Sequence, residues 1–115
     1  MNNLISGNLE QAFRIDDDAS FIYVYGNYIG TDLTGTLAVP NTTTGFFSLQ
    51  AIVIDDRANN IFIGGGEPGQ GNIISGNDLN GFDIDDGANA VYIQGNKIGV
   101  DVNGDPLPNQ GPHGI

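Results

Sequence analysis

The stretch NIISGNDLNGFDIDDGANAVYIQGNKIG, Asn72–Gly99, decides how the chain is read, because NLISGNLEQAFRIDDDASFIYVYGNYIG, Asn3–Gly30, is the same sentence spoken earlier. The two copies lie 69 residues apart. Holding that offset from Asn3–Phe46 onto Asn72–Ile115 makes 18 of 44 pairs identical, where chance gives about three. A shorter period sits inside the long one. Asn-x-Ile begins at Asn3, Asn27, Asn72 and Asn96, in steps of 24, 45 and 24 residues. The long step holds two additions, TDLTGTLAVPNTTTG at Thr31–Gly45 and GGEPGQG at Gly65–Gly71, both of loop-forming composition. Without them the unit is close to 24 residues.

Each unit contains three short apolar runs, such as NIISGN, GFDID and AVYIQG. They are rich in Ile, Val, Phe and Tyr, and no segment has apolar residues at helical spacing. None can bury an apolar face alone. Stacking the units about 4.8 Å apart lets each run pair with its equivalents above and below. The expected fold is therefore all-β: a right-handed single-stranded parallel β-helix, or solenoid, of about four coils (3–26, 27–71, 72–95 and 96–115). One core column would be Ile5, Ile29, Ile74 and Ile98, and another Ile15, Ile54 and Ile84. Ile22, Ile61 and Val91 would form a third, with Val24, Ile63 and Ile93 beside it. Asn3, Asn27, Asn72 and Asn96 would form an amide ladder at a turn.

The elements N-[LI]-I-S-G-N, I-D-D-x-A and G-N-x-I-G-x-D-x-x-G together resemble a right-handed parallel β-helix repeat of very large bacterial secreted or cell-surface proteins. The resemblance covers essentially the whole chain. It implies an extracellular or surface location and a pectin lyase-like fold. It leaves function open, because that fold hosts lyases, glycosidases, epimerases, adhesins and passive stalks. The boundaries fall inside repeat units, so the chain reads as a fragment of a longer array whose exposed edges favour edge-to-edge self-association.

Composition narrows the partners. The chain carries 14 acidic and 3 basic residues among 115, a net charge of −11. Such a surface repels phosphates, which argues against nucleic acid. Cysteine is absent, so there is no disulfide or thiolate metal site. No apolar run is long enough for a membrane span.

Three features invite chemistry. The doublets Asp16–Asp17, Asp55–Asp56 and Asp85–Asp86 would stack on successive coils, each before an alanine (Ala19, Ala58 and Ala88) that suggests a tight turn. Stacked carboxylates repel, so solvent, capped turn amides, Arg57 or a bound Ca²⁺ must relieve them. As catalysts they fit poorly. Glycosidases need two carboxyl groups in unlike environments, and a doublet copied on three coils supplies like ones. The polygalacturonase pattern of Asp-Asp, Gly-His-Gly and Arg-x-Lys is incomplete: the sole histidine, His113, follows Pro112, and no Arg-x-Lys exists. His113 reads as a loop residue. Arg14, Arg57 and Lys97, the only basic side chains, form no basic cluster in the sequence.

Asp101, Asn103 and Asp105 alternate like the first ligands of a calcium loop, but the glycine comes early and position twelve is Pro112, so a β-turn is the better reading. Tyr23, Phe62 and Tyr92 should face outward, as a carbohydrate-binding strip or as a ladder covered by a loop. The expectation is a non-catalytic structural or adhesive segment meeting a polysaccharide or surface protein. The alternative is part of a polysaccharide-active enzyme whose catalytic residues lie outside this chain.

Overall fold

The computed structural model describes residues 3–42 and 50–111. Its elements are ten strands: β1 (Leu4–Ile5), β2 (Phe13–Ile15), β3 (Ser20–Val24), β4 (Tyr28–Ile29), β5 (Gln50–Ile54), β6 (Asn59–Ile63), β7 (Ile73–Ile74), β8 (Asn80–Ile84), β9 (Asn89–Ile93) and β10 (Lys97–Ile98). They form three parallel sheets, β1-β4-β7-β10, β2-β5-β8 and β3-β6-β9. The chain visits the sheets in that order and then returns to the first, an all-β arrangement consistent with a β-solenoid. No helix among the described residues is long and apolar enough to cross a membrane.

The register places each expected column. Ile5, Ile29, Ile74 and Ile98 pair in the first sheet. Ile15, Ile54 and Ile84 pair in the second. Ile22–Ile61–Val91 and Val24–Ile63–Ile93 run side by side in the third. Ile29, Ile52, Ile54, Ile61, Ile63 and Ile74 are fully buried and, with Phe82, fill the space between the sheets. β-Branched side chains suit this core because they stack on their copies without leaving preferred rotamers.

Asn3 donates its Nδ2–H to Asn27 Oδ1 (2.9 Å), Asn27 to Asn72 (3.0 Å) and Asn72 to Asn96 (2.9 Å). A second ladder, which the 24-residue period does not reveal, runs through Asn8, Asn41, Asn77 and Asn109 with links of 2.8, 2.9 and 2.9 Å. Asn41 is wholly buried, although it lies in the segment read from sequence as an external loop. The rest of that segment, 43–45, lies outside the described residues, as do Pro112 and His113. The constant offset also slips by one residue after Gly35 and Gly104. Asn41 is the structural equivalent of Asn109 rather than of Gln110, because the second loop is one residue shorter.

Glycine makes room for both ladders. A Cβ on Gly30 would stand 2.4 Å from Asn77 Oδ1, and one on Gly64 would stand 2.4 Å from Asn96 Oδ1. Both glycines also have positive φ, which a side chain disfavours.

Candidate functional site

The acidic doublets are turns. Ala19, Ala58 and Ala88 each donate an N–H to the carbonyl of the residue three before, Asp16, Asp55 and Asp85, at 3.0 Å. The two central residues all have positive φ: Asp17 and Asp18 (51° and 61°), Asp56 and Arg57 (47° and 64°), Asp86 and Gly87 (47° and 81°). This is the signature of a type I′ turn, for which Asp and Gly are among the best-tolerated residues. The second aspartate of each doublet therefore stands where the backbone favours it.

The carboxylates are not equivalent. Asp16, Asp55 and Asp56 each offer an oxygen within 4.8 Å of the others. Arg14 lies among them, 2.9 Å from Asp16, 2.7 Å from Asp55 and 3.4 Å from Asp56. Asp17, Asp85 and Asp86 stand outside this cluster, and Asp85 Oδ1 accepts the N–H of Asp86 (2.8 Å). Burial pushes the Asp55 carboxyl above its ordinary value. Arg14 opposes that shift, while Asp56 and Asp16 reinforce it. The guanidinium of Arg14 is desolvated in part, but the three carboxylates raise its pKa on balance.

Arg57, which the sequence offers as the neutraliser of one doublet, instead grips Asp18 of the preceding circuit through Nε (2.9 Å) and Nη2 (2.8 Å). That bond holds Asp18 below its usual carboxylate range. The sequence reading missed Arg14, the residue that meets Asp16, Asp55 and Asp56. Its signal was position: Arg14 precedes Ile15 by one, so alternation turns it outward beside Asp16.

The two Asp-x-x-Gly loops are hairpins. Thr31 bridges Ala38, and Val100 bridges Pro106, in antiparallel fashion. Asp32 Oδ1 accepts from Thr36 and Leu37 N–H and from the Thr34 hydroxyl, and the Thr34 bond is the main reason its pKa is lowered. Asp101 Oδ1 accepts from Asn103 and Asp105 N–H. These carboxylates close their own turns. The hairpins also touch each other, since Val102 donates its N–H to Gly35 O (2.9 Å).

Tyr23, Phe62 and Tyr92 stack with centroids 4.9 and 5.0 Å apart and interplanar angles of 6° and 11°. Tyr25 meets Tyr23 edge-on. Tyr23 and Tyr92 are 57% and 51% exposed, so no loop among the described residues covers the strip. The rings turn much of their faces to one another, as offset-stacked pairs do, and present their edges to solvent. Beside them, Phe21, Asn60 and Ala90 occupy one backbone position with φ of 55°, 52° and 50°, a kink repeated within β3, β6 and β9.

The chain matches no family model, no curated protein and no solved structure.

Proposed function

We propose that this chain is a non-catalytic segment of a right-handed, single-stranded parallel β-helix in a secreted or cell-surface protein, acting as a stiff spacer or adhesive shaft. The observation that carries the reading is the pair of uninterrupted asparagine ladders, which bind each circuit to the next through amides that are exposed only at the first rungs, Asn3 and Asn8. Such columns favour a rigid stack over a hinged or mobile one. The one carboxyl with a raised pKa, Asp55, is buried, and both its oxygens face Arg14 at 3.2 and 2.7 Å. A general acid must reach substrate, and this group does not.

The test is a panel of polysaccharides incubated with the full chain and assayed for new reducing ends or unsaturated termini. No release is expected. Release that disappears in Asp55→Asn would overturn the reading.

A second reading, contact with a glycan or surface protein along Tyr23, Phe62 and Tyr92, is favoured by the exposure of the two tyrosines. A glycan array probed with the native chain and with Tyr23→Ser/Tyr92→Ser should then show binding that the double variant loses. Equal signals from both proteins would rule the strip out.

A further inference from the structure

The doublets, the aromatic strip and the ladders all recur from circuit to circuit, as structural columns do. One surface loop does not recur. The segment Gly65–Gly71 has no counterpart between Val24 and Asn27 or between Ile93 and Asn96. It walls a groove of about 630 Å³, within the range of small-ligand sites. Val102, from the second hairpin, stands among the lining residues, so additions to the minimal 24-residue unit frame the groove. The floor is the outward column of the first sheet, where Tyr28, Ile73 and Lys97 pair in register. Glu67 and Gln94 add polar groups to the lining. Function concentrates where loops depart from a rigid repeat.

The glycines of this wall divide into two kinds. A Cβ on Gly71 would lie 2.1 Å from Gly95 O, and one on Gly95 would lie 2.3 Å from Gly65 O, so close backbone approach requires both. Gly66 is different. Its φ is not positive, and a Cβ there would meet only the Gln94 amide, at 3.3 Å. The backbone does not demand glycine at 66, and a side chain there would press only on the Gln94 amide and fill the groove.

We propose that this groove binds a neutral glycan, one or two sugar rings in length. The half-buried Tyr28 and Val102, over the buried Ile73, give the groove an apolar face that suits the C–H face of a sugar ring. Lys97 donates, Glu67 accepts and Gln94 does both, which matches vicinal hydroxyls that each donate and accept. Lys97 Nζ–H also donates to Val102 O. Unlike Arg14 and Arg57, Lys97 has no ion pair among the described residues. An anionic ligand is disfavoured by Glu67 in the wall and by the net charge of −11. This site is independent of the structural role, since a shaft needs no groove.

The test is a two-dimensional amide NMR titration of the full chain with cellobiose and maltose, with digalacturonate as the anionic control. At least one neutral disaccharide should shift the amides of Gly66, Gln94 and Lys97 and leave those of Tyr23 and Tyr92 in place. Gly66→Leu should weaken that binding about tenfold by filling the groove, with an unchanged melting temperature. Lys97→Met keeps the apolar stem, removes the donor, and should weaken binding in the same direction. The proposal fails if neither neutral sugar shifts the groove amides. It also fails if digalacturonate binds more tightly, or if both variants bind as the native chain does.

Discussion

Asn72 and Asp55 both recur at successive levels of the stack, and both are buried. Asn72 accepts from the Asn27 amide side chain and donates to Asn96 Oδ1 and Val24 O. Asp55 depends on Arg14, a residue that has no copy in the other circuits. The difference is chemical. An amide carries donors and an acceptor, so a column of identical asparagines satisfies itself at every level. A carboxylate only accepts and repels its copies, so a column of aspartates cannot satisfy itself and relies on solvent, turn amides or a foreign cation. The asparagine column therefore runs unbroken through the stack. The aspartate column is an uneven series in which one level is buried and paired and another is exposed.

The largest effect should come from breaking that distinction. Asn72→Asp removes both donors and puts a charge in the ladder, and should cost about 3 kcal/mol by urea denaturation at neutral pH. The buried carboxyl would have its folded pKa raised, so stability should return as pH falls through that value and the group regains a donor. Asn3→Asp, at the exposed rung, should cost less than about 1 kcal/mol. Equal losses at both rungs would show that burial does not set the strength of the ladder.

A smaller effect is expected at the backbone column. Phe21 holds φ at 55° with a bulky ring, 65% exposed, where the next circuit has Asn60. Phe21→Asn should stabilise by about 1 kcal/mol, because asparagine tolerates the left-handed region. A destabilised variant would mean that the exposed ring packs to more effect than its surroundings suggest.

Next come the charged contacts, in which the half-exposed Arg14 meets the buried Asp55. Arg14→Gln should lower the melting temperature at neutral pH, and the loss should shrink in acid as Asp55, its buried partner, is protonated. The same variant sharpens the cation question. Calorimetry should detect no Ca²⁺ binding to the native chain if Arg14 alone satisfies the cluster, and new or tighter binding once it is removed.

The least effect belongs to the exposed Asp18–Arg57 pair. The Asp18 pKa is depressed in the folded chain, so its contribution is present above the unfolded pKa and is lost as pH falls through the folded one. Asp55 has the opposite sign, its raised pKa favouring the fold below the unfolded value and losing that contribution as pH rises. Asp18→Asn should flatten the acid limb of a melting-temperature profile, and Asp55→Asn the limb above it.

Much of the fold was legible before any coordinates. The isoleucine and valine columns and the first asparagine ladder follow from the 24-residue spacing, because stacked parallel strands place equivalent positions one above another. The turn at each doublet was legible from Asp-Asp-x-Ala, although its positive-φ form was not. The second ladder was hidden because hairpins of unequal length separate its rungs, so Asn41 and Asn109 keep no constant offset from Asn8 and Asn77.

The sequence by itself determined the period, the strand-forming runs and the outward direction of Tyr23, Phe62 and Tyr92, since repetition and alternation are properties of the chain. Only the tertiary structure decided which cation meets which carboxylate, that Asn41 is buried, and that Gly65–Gly71, Tyr28, Lys97 and Val102 enclose a single groove. Those outcomes depend on contacts between circuits and on insertions that belong to no period. Repetition carries a stack forward, whereas a site arises where the repetition is interrupted and distant segments meet.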